Sequence, residues 1–102
     1  MRSIRYSQSF FDELATLLEQ GVDRFGPAVV AQKRADVLCT IKDFLAHHPV
    51  RTIDAVLGIC AYQVRTAPFV ILYDYDDSEL RIHLVIHAAA DRSLINLSAV
   101  VW

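Results

Sequence analysis

Ala67-Pro68-Phe69-Val70-Ile71-Leu72-Tyr73-Asp74-Tyr75-Asp76-Asp77-Ser78-Glu79-Leu80-Arg81-Ile82-His83-Leu84-Val85-Ile86-His87 holds two strand-forming runs around an acidic turn. β-Branched and aromatic residues favour a pleated, half-buried surface, and Asp-Asp-Ser offers side-chain oxygens to the turn backbone. The segment therefore predicts a β-hairpin, with strands at Phe69–Tyr75 and Leu80–His87. In the second strand Leu80, Ile82, Leu84 and Ile86 alternate with Arg81, His83, Val85 and His87. That period of two predicts one core face and one partly polar face.

Upstream, Gly58–Thr66 reads as a further strand joined through Ala67-Pro68, which makes a three-stranded antiparallel meander. Pro49 ends whatever helix precedes it, because His48 is disfavoured in the α region, and residues 49–57 read as a loop. Two helices come before. In the first, Phe10, Leu14, Leu17, Leu18 and Gly21 recur at helical spacing. Ser7 or Ser9 is placed to cap it, with Asp12 and Glu13 expected in its first turn. It runs to about Arg24, where Gly26-Pro27 breaks it and Pro27 opens the second helix. The second runs to about Ala46, with Val30, Val37, Ile41 and Phe44 or Leu45 as its buried stripe. So short a connection forces an antiparallel helical hairpin. Arg2–Tyr6 reads as a first strand added to the sheet. Leu94–Trp102 is too apolar for a free tail and is expected to dock on the sheet as a strand or helix, the other reading being that it binds a partner. The expected fold class is α+β: an N-terminal strand and an α-helical hairpin packed on an antiparallel β-meander, in one domain spanning 1–102.

Composition bounds the function. The chain has 102 residues, 54% of them hydrophobic, with three glycines and three prolines, which is the opposite of a disordered chain. No apolar run approaches the ~20 residues of a membrane span, and the start lacks the apolar core of a secretion signal. Cys39 and Cys60 form no metal or redox spacing and read as buried hydrophobes, so a reduced cytoplasmic protein is expected. A net charge of −2 argues against a broad basic nucleic-acid surface. His47-His48 has no further ligand at metal spacing and reads as a pair at a helix C-terminus. Asp74, Asp76 and Asp77 read as turn residues, and Tyr62, Tyr73 and Tyr75 as packing.

The order strand, two helices, meander resembles the RelE/ParE superfamily of bacterial toxins. Pro68-Phe69-Val70-Ile71-Leu72-Tyr73 is similar to the family's Pro-aromatic-Arg-aliphatic-aliphatic-Tyr strand. Leu84-Val85-Ile86-His87 is similar to the His-terminated strand of ParE-type members. Ile4-Arg5-Tyr6-Ser7 and Phe11-Asp12-Glu13-Leu14 resemble the family's opening, and Pro49 also fits. The resemblance implies a cytoplasmic toxin of a type II toxin–antitoxin pair, neutralised by a ParD-like antitoxin, with no cofactor and no membrane. RelE-like members cleave mRNA on the ribosome, whereas ParE-like members inhibit DNA gyrase without catalysis.

Cleavage by a 2′-hydroxyl needs cations opposite the phosphorane charge. The family arginine three residues before the strand tyrosine is Val70 here, Ala90 stands in the Arg place of a His-x-x-Arg-Asp pattern, and Cys60 follows Gly58-Ile59 where an Arg often stands. Arg81, His83 and His87 are expected on one strand face, yet His83 and His87 lie ~13 Å apart along it. These substitutions favour the ParE-like branch, a binder rather than an enzyme. Arg65, Arg81, His83, His87 and Arg92 are the expected target contacts. Phe11, Leu14, Leu18, Val30 and Val37 are the expected antitoxin contacts. Two alternatives stand beside this: an endoribonuclease using His87, Arg81 and Arg65, and a detoxified member that only binds antitoxin, suggested by Ala88-Ala89-Ala90. His87 is open between a structural role at the strand end and a functional one.

Overall fold

Ser7 joins the first strand to the first helix, and it sets the geometry of both. In the computed structural model, which describes Met1–Trp102, β1 is Ser3–Tyr6 and α1 is Gln8–Phe25. The Ser7 hydroxyl is fully buried. Its Oγ accepts from the Phe10 N–H at 2.9 Å and donates to the His83 carbonyl at 2.6 Å. Both capacities are used, which is the condition for burying a hydroxyl. With Ser7 as cap, Asp12 and Glu13 fall in the second turn, and the first turn carries no acid, contrary to the sequence expectation. Ser9 does not cap. It holds the far end of the chain instead, its N–H donating to the Val101 carbonyl and its Oγ accepting from the Val101 N–H.

Gly26 adopts φ 84°, a left-handed conformation open to glycine, and Pro27 starts α2 (Pro27–Cys39). The helical path continues through Thr40–Leu45 with a wider turn, in which the Ala46 N–H reaches back five residues to the Ile41 carbonyl. Helical structure thus reaches the expected length but not with uniform winding. Ile41, Leu45 and Ala46 are buried, while Phe44 turns outward onto Tyr62.

The sheet comprises β2 (Cys60–Gln63), β3 (Phe69–Tyr75) and β4 (Glu79–His87) together with β1, in the order β1-β4-β3-β2. β1 runs parallel to β4, and the remaining pairs are antiparallel. β2 is shorter than the expected Gly58–Thr66. Gly58 closes a loop by donating to the Asp54 carbonyl, and Val64 already closes the next turn onto Phe69. Asp76 Oδ1 accepts from the Ser78 and Glu79 N–H groups, both at 2.8 Å, so the acidic turn is what the sequence suggested. Tyr73 is fully buried, and its hydroxyl donates to the Val50 carbonyl.

One irregularity changes the face assignment. Leu72 pairs with Leu84, but the next residue, Tyr73, pairs with Ile82, leaving His83 as an extra residue in β4. Such a bulge inverts the alternation on one side of it. Leu80, Ile82 and Val85 face the helices, whereas Leu84 and Ile86 face the opposite side. The expectation that Leu80, Ile82, Leu84 and Ile86 share one face therefore fails at His83. So does the placement of His87 with Arg81 and His83: His87 pairs with Phe69 and lies on the helix side.

The main core fills the helix side, with Phe10, Leu14 and Leu18 of α1, Val30 and Val37 of α2, and Ile71, Tyr73, Ile82 and Val85 of the sheet. On the far side Val70, Leu72 and Ile86 form a second, smaller cluster, covered in part by Ala88, Ala90, Ile95 and Leu97. The C-terminal segment thus docks on the sheet, as expected, but as an irregular strap. Its only regular structure is two short 3-10 turns, Arg92–Leu94 and Leu97–Ala99.

Candidate functional site

The five expected target contacts are not gathered into one site. Arg81 is held by three carboxylates: Asp74 at 2.5 Å, Asp76 at 3.0 Å and Glu79 at 3.2 Å. Asp76, then Glu79 and Asp74, raise the guanidinium further above its usual range. In return Arg81, followed by the Ser78 and Glu79 N–H groups, holds the Asp76 carboxyl well below the usual carboxylate range. A cation so neutralised has little field left for a phosphate. His83 lies beside it, with Nε2 3.2 Å from Asp74 Oδ2 but angled so that no hydrogen bond forms. Its ring meets Trp102 edge-on, with centroids 4.7 Å apart, and the Arg5 guanidinium covers the Trp102 ring at 5.0 Å.

Arg92 is committed elsewhere. It donates to the Ala88 and Ala90 carbonyls at 3.0 and 2.9 Å and contacts Asp54 at 3.4 Å, clamping the strap to the loop before β2. The Asp54 carboxyl is lowered chiefly by the Leu57 N–H, with Val56 and Arg92 adding to it. Arg65 is exposed in the β2–β3 turn and takes part in no ion pair. His87 ends β4, its Nδ1 accepting from the Ala89 N–H at 3.0 Å. Arg81 and His83 are therefore neighbours through Asp74, while Arg65, His87 and Arg92 stand apart. The trio His87, Arg81 and Arg65 divides between the two faces of the sheet and a turn.

Val70 is buried in the second apolar cluster, and a guanidinium in its place would have to be desolvated, whereas Ala90 is half-buried and packs against that cluster as part of its cover.

The expected antitoxin contacts need a correction. Phe11 is 42% exposed and available, but Leu14, Leu18, Val30 and Val37 are at most 9% exposed. They hold the helices to the sheet, and only Leu18 and Val30 reach the surface, where they line the cleft under Phe25. The apolar residues that the hairpin does present are Val22, Phe25 and Val29, all exposed. The sequence signal for them was present: large apolar residues outside the buried stripe of an amphipathic helix. Phe25 stands over a cleft of about 180 Å³, lined also by Leu17, Phe69 and His87. Arg24 and Lys33 flank its ring at 5.6 and 5.9 Å, within cation–π range. No helix is long and apolar enough to cross a membrane.

No family model matches the chain, and no curated protein matches it in sequence. Among solved structures, its fold is similar to a chain of the chromosomal ParDE TA system from P. aeruginosa. The likeness has a TM-score of 0.72 over 85% of this chain and 96% of that one, at 17% sequence identity. At that identity it is a likeness of fold, and it supports the RelE/ParE-like α+β arrangement read from the sequence: strand, helical hairpin and β-meander.

Proposed function

We propose that this chain is a single-domain toxin of a type II toxin–antitoxin pair, of the ParE-like kind. It acts in the bacterial cytoplasm by binding and inhibiting its target, DNA gyrase, and is held inactive by a ParD-like antitoxin. The observation that carries the reading is the fold likeness to a chain of a ParDE system over nearly its whole length. The exposed apolar surface of the helical hairpin, at Phe11, Val22, Phe25 and Val29, supports a protein partner.

The binder reading over the nuclease reading rests on cations. Arg81 is neutralised by three carboxylates, Arg92 clamps the strap, and Val70 and Ala90 are apolar and packed. A phosphorane needs free positive charge close by, and its loss costs orders of magnitude in rate. Target contact then falls to exposed groups, with Arg65, His87 and Trp102 the best placed, while His83 is half-buried against Trp102. The decisive experiment is induced expression with growth followed in parallel to a gyrase supercoiling assay on purified protein. Growth arrest with blocked supercoiling is expected. Full supercoiling at excess protein overturns the gyrase assignment, and discrete cuts by mRNA primer extension would replace it with the nuclease.

The apolar side chain of Ala90, packed against the second cluster, favours a second reading, a member that binds antitoxin and poisons nothing. Unimpaired growth on induction, with tight antitoxin binding retained, would select it.

A further inference from the structure

Along α1, Glu13, Leu17, Gln20 and Arg24 fall at i, i+4, i+7 and i+11, so they form one stripe up the helix. The stripe reads acid, apolar, amide, base. It is also the wall of a continuous groove. A hollow of about 230 Å³ beside Asp12 and Glu13 shares Glu13, Leu84 and Asn96 with the next, of about 280 Å³. That one in turn shares Leu17 and His87 with the cleft under Phe25. The opposite wall is the C-terminal strap, through Ile95 and Asn96, and the floor is Leu84 and Ile86 of β4.

The charges in this groove are segregated and stand outside any ion pair, although Arg24 and Lys33 flank the Phe25 ring and Asp12 accepts from the Gln8 amide. Asp12 and Glu13 stand at one end and Arg24 with Lys33 at the other, and none of the four takes part in an ion pair. Their separation along the helix is about 16 Å from Glu13 to Arg24, which is about five residues of extended chain. The middle is apolar. The bulge at His83 is what creates that floor, because it turns Leu84 and Ile86 away from the main core.

We infer that this groove binds one extended segment of a protein partner, with that segment's basic residues at Asp12 and Glu13, its apolar residues over Leu17 and Leu84, and its acidic residues at Arg24 and Lys33. Opposite charges at the two ends admit the segment in one direction only, since the reverse seating places like charges together at both ends. The apolar floor supplies contact area and the ends supply direction. Identification of the partner as the antitoxin rests on the proposed function; the groove's chemistry does not.

The test uses the full chain and two synthetic twelve-residue peptides of identical composition. One carries a lysine block, two leucines one residue apart and a glutamate block; in the other the charges alternate. Isotope-labelled protein is titrated with each and followed by amide chemical shifts. The segregated peptide should bind at least tenfold more tightly and shift Glu13, Leu17, Gln20 and Asn96. A spin label on its lysine block should broaden Asp12 and Glu13 and leave Arg24 sharp. Arg24→Glu with Lys33→Glu should weaken binding at least tenfold, and a peptide with its glutamates replaced by lysines should recover it. Arg24→Gln with Lys33→Gln gives the same weakening if the charge reversal disturbs folding. Equal affinity of the two peptides, no binding at millimolar peptide, or broadening at both ends overturns the inference. The two readings fail separately. Growth arrest on induction with unaltered titrations leaves the toxin and removes the groove, whereas peptide binding without growth arrest does the reverse.

Discussion

On the helix side of the sheet, Phe10, Ile41, Leu45, Tyr73 and Ile82 are all at 0% exposure, and they come from two helical elements and two strands. On the far side only Val70, Leu72 and Ile86 are buried, and what covers them is a half-exposed strap with Leu94 at 82% and Trp102 at 43% exposure. Both faces are apolar, yet they do different work. The first is closed by regular elements whose backbone bonds are internal, so its side chains interdigitate fully. The second is closed by a segment that makes few backbone bonds of its own and packs through scattered contacts. Regions of that kind open at lower free energy than the global fold. The surfaces proposed for partners, the α1 groove and the Trp102–His83 corner, both border the second face.

The largest test of this contrast is Phe10→Ala, which should cost about 3–5 kcal/mol by urea denaturation, as expected for a fully buried aromatic. Ile95→Ala in the strap should cost about 1–2 kcal/mol, less than the usual range because Ile95 is only half-buried. Equal losses would erase the distinction between the faces.

Ser7→Ala and Ser9→Ala sharpen it further. Ser7 loses a helix cap and a buried bond to the His83 carbonyl, worth about 1–2 kcal/mol. Ser9→Ala should leave global stability within about 0.5 kcal/mol while speeding amide exchange at Val101, whose N–H it accepts. The smallest effect is on acid stability. The Asp76 carboxyl is depressed in the folded state, first by Arg81, so it stabilises the fold above the unfolded carboxylate pKa of about 4. That contribution is lost as pH falls below about 4 toward the folded value. Asp76→Asn should flatten the acid limb of a Tm-against-pH profile and leave the profile above pH 5 parallel to wild type. An unchanged acid limb would mean that Asp76 carries none of it.

Phe69–Tyr75, the Gly26-Pro27 break and the helical hairpin were all readable from the chain, because each depends on residues within one or two turns of one another, while the cap was readable only as Ser7 or Ser9. The same holds for the acidic turn, where Asp76 binds backbone groups two and three residues ahead. Leu84-Val85-Ile86 was readable as strand but not as a face. All three residues are apolar, so either phase of the alternation satisfies the pattern, and the choice falls to the pairing with β3 that places His83 in a bulge. The availability of Arg81 and Arg92 was equally out of reach. Their carboxylate partners include Asp74, across the hairpin, and Asp54, 38 positions away, and only the folded chain brings them within contact. Local chemistry therefore determined which elements this protein forms. Long-range pairing decided which side chains they bury, which cations they silence, and where a groove is left open along α1.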